Sequence, residues 1–500
     1  MSRFRLFAPA LSRRTLAAAG AAGAAGLALA GWGLWRRLSE PAAFDVVVIG
    51  SGAAGLSAAV AAAETGASVL VIEKQSEIGG NTLISGGYFA AVDPKRQKAQ
   101  QIDDSEALFL KQMLESGGAL AEPRLARTLV DGAGAALRWL ESLGMRFQPG
   151  VIEIYGAHWP RCHKPMMPGG QGYIYALSAA AAKLGVTIAA HLRAERLEPL
   201  GSRSAPRGSG GWRIRCAGPD GEAAVFEARR GLVLASGGFG ASRSMIEAFS
   251  PKLAGLTTDN TPGSTGEMLL EAARCGAALV GMEAVQCLPG CPPGRTHRVR
   301  LHNDVSRFIF VNGRGRRFIR EDERRDVLRD AVLALPEGFA YTIVDDAGMR
   351  SYNILVQKEA VIGIETGDAW RGATVEKLAE AMGLPGAALR ASVECYNLGV
   401  RLKRDEFGKA PAELIHEIIT PPFWGCYAGM TIHYTMGGIR IDERARALDA
   451  AGRPIPKLFA AGEAAGGVHG ANRMGANGIN DAVVFGRLAG RGAAAGALAS

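Results

Sequence analysis

The apolar positions of this chain follow two rhythms. Between residues 44 and 74, "FDVVVIGSGAAGLSAAVAAAETGASVLVIEK", the positions Val46 to Ile49 form an unbroken β-branched run. That is how a strand buried on both faces of a parallel sheet reads. An Ala-rich helical stretch follows to about Thr65, Gly66 ends it, and Val69 to Ile72 repeat the β-branched pattern. Strand, helix and strand in so short a span predict a βαβ unit and an α/β fold. A further buried strand ending in a glycine turn is predicted at "GLVLASGGFGAS" (231–242), and a helix is predicted to begin near Gly478. The region from about 284 to 433 has a different texture. It opens with a hairpin-like "FIFVNGRGRRFI" (308–319), whose Asn312-Gly313 is a turn signal, and continues in helix-like and loop segments. No internal repeat is visible. The Gly/Ser-rich "GSRSAPRGSGG" (201–211) reads as a surface connection.

The first strand-to-helix turn carries chemistry. Gly50, Gly52 and Gly55 complete G-x-G-x-x-G, with Ala53 and Ala54 opening the helix and Glu73 closing the second strand, followed by Lys74. The first glycine permits a turn closed to other residues, the second lets backbone approach a pyrophosphate, and the third lets helix pack on strand. The helix N-terminus offers free N–H groups and a positive dipole end to phosphate. Glu73 is placed to accept hydrogen bonds from ribose hydroxyls. With all these parts in register, the unit predicts a dinucleotide site.

Composition agrees with that class. Hydrophobic residues make up 48% and aromatics 7%, with 67 glycines, which suits an α/β enzyme rich in tight turns better than a β-sandwich. Five hundred residues suggest two or more domains. The net charge of +9 is concentrated at the N-terminus, where Arg3, Arg5, Arg13, Arg14, Arg36 and Arg37 stand against Glu40 alone. What remains is too scattered for nucleic-acid binding. Residues 12–35 form a basic pair followed by a weakly apolar Ala/Gly run, with "ALA" at 28–30 as a cleavage signal. The pair Arg13–Arg14 looks like a twin-arginine export signal, so the expected location is the periplasm. Arg36 and Arg37 leave an uncleaved inner-membrane anchor open. The seven cysteines include no C-x-x-C-H, so the chain carries no c-type haem, and Cys287 and Cys291 read as two buried thiols rather than a disulfide. No metal site is expected.

A second Gly-rich turn, "EIGGNTLISGGYF" (77–89), lies soon after Glu73. A simple NAD domain has no use for it. It resembles the FAD-binding segment of the fumarate reductase/succinate dehydrogenase flavoprotein family. Three further stretches resemble that family in the same order: 231–242, "TTDNTPGSTGEMLLEAARCGAAL" (257–279), with Glu267 standing for the acid of the family's T-G-D, and "LFAAGEAAGGVHGANRMGANGINDAVVFGRLAG" (458–490). The resemblance implies a Rossmann-like FAD-binding domain of the glutathione-reductase type with an inserted α+β capping domain. Its implied boundaries are a leader over 1–40, FAD-binding parts over 41–283 and 434–500, and a mobile cap over 284–433. Beyond Gly50, Gly52, Ala53, Ala54, Gly55, Glu73 and Lys74, it implies FAD contacts from Gly80, Asn81, Thr82, Ser85, Gly86, Gly87, Gly237, Gly238, Glu463, Asn477, Gly478 and Ile479. Asn81 stands where the succinate dehydrogenases carry a flavin-bonded histidine, so the implied FAD is non-covalent.

The resemblance also implies a reaction: hydride from flavin N5 to a C=C conjugated to a carboxylate, or the reverse dehydrogenation. Such a step needs a cation on the carboxylate, a polarising group and a proton for the other carbon. In the family, the arginine of "ANR" grips the carboxylate; here that is Arg473, a planar fork amid small residues. "TIHYTMGGIRID" (431–442) resembles the family's histidine-pair segment, with His433 followed by Tyr434 at the substrate position. "GRRFIREDERRDVLRD" (315–330) resembles the segment holding the proton-donating arginine, which places that role on Arg325 before Asp326. Arg314, Arg316, Arg317 and Arg324 read as a solvated charge cluster. The family's upstream Glu and Arg relay has no match in 297–307. In "AVQCLPGC" (284–291), Leu288 replaces the histidine that holds fumarate's far carboxylate. Desolvating a carboxylate against leucine costs several kcal/mol. The expected substrate is therefore a monocarboxylate or larger unsaturated acid, unless His302 or Arg300 replaces the missing partner. Electrons must come from outside, from a cytochrome or a quinol system. The alternatives are a ketosteroid-dehydrogenase-like flavoenzyme and a non-catalytic FAD redox subunit.

Overall fold

The computed structural model describes residues 41–201, 208 and 210–496. The leader, with its arginine pair and apolar run, and residues 202–207 and 209 of the Gly/Ser connection lie outside the described residues. Among the described residues, no helix is long and apolar enough to cross a membrane.

The predicted βαβ unit forms as β1 (Ala42–Ile49), α1 (Ala53–Ala63) and β2 (Val69–Ile72). Val46 to Ile49 pair in parallel with Val69 to Ile72, and both runs are fully buried. Around them the chain lays β3 (Thr187–Ala189), β4 (Ala223–Leu234) and, much later, β10 (Arg446–Leu448) and β11 (Pro454–Ala460). The main sheet order is β10–β11–β4–β1–β2–β3, parallel along that path except at the β10 edge, and two antiparallel strands over Arg193–Leu200 and Gly211–Ala217 extend the sheet from β4. The β-branched runs sit at its centre because only there are both faces covered. The second Gly-rich turn becomes a short helix, α2 (Gly80–Ile84), and the segment resembling T-G-D opens α3 (Glu267–Arg274).

The middle region builds its own sheet. Its spine is the long β9 (Phe423–Thr435), which pairs with β5 (Val285–Gly290), β7 (Ala340–Asp345) and β8 (Ala369–Gly372), while β6 (Phe308–Val311) pairs with β7. Between β6 and β7 runs α4 (Arg325–Leu333). The 308–319 stretch is therefore not a hairpin. β6 finds its partner at 340–345, and only a single bridge, Val311 to Arg317, crosses the Asn312 turn. Asn312 instead closes the turn through its side chain, which accepts from the N–H groups of Arg314 and Arg316. Arg317 also departs from expectation. Its side chain is buried, and its guanidinium pairs with Glu321 (2.9 Å) and Asp405 (2.6 Å). Lys409 bonds the same Glu321. Arg314 and Arg316 are exposed as expected, and Arg324 is half-buried against Asp326.

The chain closes with α5 (Asn477–Ala495), which lies along α1. The approach is unusually close because α5 carries Gly486 and Gly490 one turn apart. A Cβ on Gly486 would meet the Ala54 carbonyl oxygen at 2.5 Å, and one on Gly490 would overlap the Ala58 carbonyl. This packing runs α5 parallel to α1 with Gly486 on Ala54 and Gly490 on Ala58, so α5 begins about two turns ahead of α1 and both helices point their positive dipole ends the same way. We predict that Gly490→Val forces these helices apart, costs about 1–3 kcal/mol, and weakens FAD retention; thermal unfolding and flavin release on dilution check this, and an unchanged melting temperature would refute it.

Candidate active site

Two helix N-termini meet a run of buried polar atoms that the protein leaves without partners. Neither α1 nor α5 is capped by the side chain of its own N-cap residue, Gly52 or Ala476. In the first turns of α5 the amide groups of Asn477 and Asn480 and Oδ1 of Asp481 make no hydrogen bond, and neither does Ser236 Oγ beside β4. Each such group costs about 1–3 kcal/mol if it stays unmatched. Gly80 and Gly237, both at positive φ, have open space where a Cβ would lie. A flat, polar-edged cofactor with a pyrophosphate fits this donor set and these gaps. Glu73 is held by the N–H and hydroxyl of Ser51 and the N–H of Gln75, which fixes it at the end of β2. Lys74 turns to Thr265 and Glu267, beside a cavity of about 400 Å³ also lined by His191 and Arg193. Thr82 Oγ1 accepts from the Ala53 N–H, tying α2 to the start of α1, and Ser85 bonds back to Thr82 and receives the Gly87 N–H. Gly86 is exposed. Asn81 bonds Asn260 and Thr261. Glu463 accepts from the N–H and hydroxyl of Thr435, and a Cβ on Gly238 would press on its carboxylate. Burial, only partly offset by those bonds, raises the Glu463 carboxyl to about 6.

Beside this cradle stand Arg473 and Arg325, each 6% exposed. Arg473 lies in the small-residue loop before α5. Its Nη1 donates to the Met474 carbonyl (3.2 Å), its guanidinium stacks 4.4 Å over the Tyr434 ring, and its Nε has no partner. Arg325 opens α4. Its Nη1 donates to Gln286 Oε1 (3.2 Å), Nη2 donates to the Tyr155 carbonyl, the guanidinium lies 5.1 Å over the Tyr155 ring, and Nε is unpartnered. Among the described residues, neither has a carboxylate partner. The contrast with other buried arginines is clear: Arg161 pairs with Asp104, and Arg317 pairs with Glu321 and Asp405. Burial, reinforced by the neighbouring Arg473, lowers Arg325 to about 10; burial also lowers Arg473. Two desolvated cations in contact with carbonyls and aromatic faces form a site suited to an anion.

Gln286, which sequence reasoning passed over, sets their spacing. While accepting from Arg325 it donates to the Arg473 carbonyl (2.8 Å) and to Asn472 Oδ1 (2.9 Å). Its signal was available, since a glutamine two residues before Leu288 interrupts an apolar strand. Gly156 was not legible: at φ +73° it lies against the Arg325 guanidinium, 2.7 Å from where a Cβ would be. Tyr434 directs its hydroxyl to Asp481 (3.3 Å), which also faces His469, so its ring rather than its hydroxyl meets Arg473. His433, half-buried, bonds Asp259 (3.0 Å), which also pairs with Arg298. Burial lowers the His433 imidazole despite that carboxylate, and it also feels the charges of Arg473 and Arg325. Leu288 is half-buried on β5. Cys287 and Cys291 are free, buried thiols.

Residues 45–479 match the FAD binding domain family. An NADH:fumarate oxidoreductase of Klebsiella pneumoniae is 34% identical over 91% of this chain, and the chain spans only 48% of that protein. A urocanate reductase of Eggerthella lenta is 33% identical, with 90% of this chain and 74% of that protein covered. Among solved structures, the open form of a flavocytochrome c3 fumarate reductase superposes with a TM-score of 0.73 at 32% identity, covering 94% of this chain and 82% of the other. A 3-ketosteroid Δ4-(5α)-dehydrogenase from Rhodococcus jostii gives 0.72 at 28%, covering 92% and 98%.

Two outcomes follow from the site's electrostatics. Gln286→Leu should leave FAD bound, yet cost about 10–100-fold in turnover, as a lost positioning contact does; unchanged turnover would show the bridge to be idle. Glu463 binds its proton more tightly folded than unfolded, so it opposes folding of the cofactor-free protein increasingly as pH rises through about 6. Glu463→Gln should therefore raise the melting temperature of the apoprotein relative to wild type at pH 8 but not at pH 4.5, as calorimetry can measure.

Proposed function

Because this chain belongs to the FAD binding domain family, and the matched span includes both unpaired arginines, we propose that it is an FAD-dependent oxidoreductase of the fumarate reductase type. It adds hydride and a proton across the C=C of an unsaturated carboxylate, or removes them in reverse. The observation that carries this reading is the pair of buried guanidiniums with no carboxylate of their own. Bound FAD supplies the hydride at N5. The residues that would hold it are those of the α1 turn, α2, the β4 turn around Gly237, Glu463 and the start of α5.

Arg473 takes the substrate carboxylate, its fork kept open because the protein gives it only one carbonyl and one ring face. Arg325 gives the proton to the second alkene carbon. A guanidinium is ordinarily too weak an acid, but burial and the Arg473 charge bring Arg325 down to about 10 and favour the neutral form after transfer. Gln286 holds the two at a fixed separation, which is the positioning that such a step needs. The polar donors around the developing charge are set before the substrate arrives, so none must reorganise.

Asn81 offers no nucleophile for a flavin linkage, which supports non-covalent FAD. The sheet built on β9 supports a capping role for the 284–433 region, since β9 ends at Thr435 on the Glu463 carboxylate. Electrons come from a separate donor, a cytochrome or a quinol system, because the chain has no haem-attachment motif. The arginine pair of the leader supports export to the periplasm, with an anchored form as the variant. The ketosteroid reading has the Rhodococcus likeness and Leu288 behind it, but a neutral ketone leaves two buried cations unmatched.

In the test, dithionite-reduced holoprotein is mixed with unsaturated acids and the flavin's reoxidation is followed. Reoxidation by an acid but not by an enone steroid is expected. Arg473→Ala should keep its FAD and lose at least about 100-fold in acid-dependent reoxidation, a loss on the scale of one charge-stabilising group. Full turnover in that variant would remove the site assignment.

A further inference from the structure

Leucine at position 288 leaves the distal end of the substrate without the partner expected there, and the structure discriminates between the residues that could replace it. Arg300 is committed, because Nε and Nη2 both bond the Glu359 carboxylate. Arg298 is committed to Asp259 and the Pro289 carbonyl, and His297 to the Glu359 carbonyl. His302 is not. It is 4% exposed and makes no hydrogen bond among the described residues. Its ring meets the Tyr155 ring edge-on, centroids 6.0 Å apart. Tyr155 is the same residue whose ring and carbonyl hold Arg325, and its buried hydroxyl also has no partner. The Tyr155 hydroxyl is thus enclosed without a partner beside Arg325, which costs stability unless something supplies the missing bond, and the His302 ring lies against it.

Resting on the reductase reading, we propose that His302 and the Tyr155 hydroxyl form the subsite for the distal end of the unsaturated acid, and that this end is an uncharged hydrogen-bonding group rather than a second carboxylate. The charged and titratable groups around the imidazole are Arg298 and Arg300 on its own segment, Arg325 on α4 and Tyr155 opposite. Burial first, then those three guanidiniums, keep the imidazole neutral. It therefore offers one N–H donor and one lone pair. Arg298 and Arg300 are already paired with Asp259 and Glu359, so among the described residues the unpaired guanidinium acting on the imidazole is Arg325, which the reduction uses as its acid. The flat Tyr155 ring completes a wall suited to a planar group.

The test compares fumarate, cinnamate and 4-hydroxycinnamate with the reduced holoenzyme. The expected result is kcat/KM for 4-hydroxycinnamate at least about 10-fold above the other two, since a site built to hydrogen-bond a hydroxyl rejects analogues lacking it. His302→Leu should remove the preference, bringing kcat/KM for 4-hydroxycinnamate down to that for cinnamate; His302→Gln, which keeps a donor and an acceptor, should recover part of the preference. Calorimetric binding of the saturated product 3-(4-hydroxyphenyl)propanoate should weaken in parallel in His302→Leu, a readout independent of turnover. A preference for fumarate, an equal loss on all three acids, or no change in His302→Leu each overturns the subsite. If wild-type flavin is reoxidised by ferricyanide but by none of the acids, the reductase reading falls and takes the subsite with it.

Discussion

Two guanidiniums buried side by side without a carboxylate are the constraint around which this molecule is arranged. Bringing like charges out of water is costly, and proteins ordinarily cancel such charges with acids, as this chain does at Arg161 and Arg317. At Arg325 and Arg473 it uses carbonyl oxygens, the Gln286 amide and two aromatic faces instead. Those partners hold a cation in place without neutralising it, so the charge remains available to an anion. Every element that meets here serves that condition: β5 brings Gln286, α4 begins with Arg325, the loop before α5 supplies Arg473, and β9 lays Tyr434 beneath it.

The scaffold explains how the arrangement persists. A parallel sheet buried on both faces fixes α1, and the glycines of α5 let that helix lie against α1 at backbone distance. Both helices then point their N-termini the same way, and the start of α5 carries the unpaired side-chain amides of Asn477 and Asn480. Cofactor cradle and arginine pair are adjacent because α5 starts four residues after Arg473. The second sheet supplies the Arg325 side, and its own stiffness comes partly from the buried Arg317–Glu321–Lys409–Asp405 group, which anchors the segment leading into α4.

That group also shows where reading a sequence fails. "GRRFIRE" carries so many charges that a solvated surface is the economical inference, yet Arg317 is enclosed because Asp405, nearly ninety residues away, returns to meet it. The Asn-Gly turn failed for a related reason: β6 satisfies its edge by pairing with β7, and local turn chemistry cannot report a distant strand. Tyr434 was legible as a candidate, but that its ring rather than its hydroxyl meets Arg473 depends on Asp481.

What the sequence determined by itself was everything written in short-range pattern: the βαβ unit, the glycine turns, the strand ending at Leu234, the helix from Asn477, and the identity of Arg325 and Arg473. Backbone sterics and period rules act over a few residues, so they survive in one dimension. What only the tertiary structure decided was which charges are cancelled and which are left free. Pairing depends on groups far apart in the chain meeting in space, and desolvation depends on how completely they are enclosed. Gln286 spanning two arginines, Glu359 occupying Arg300, and His302 left without a partner are facts of enclosure, and no spacing in the sequence records them.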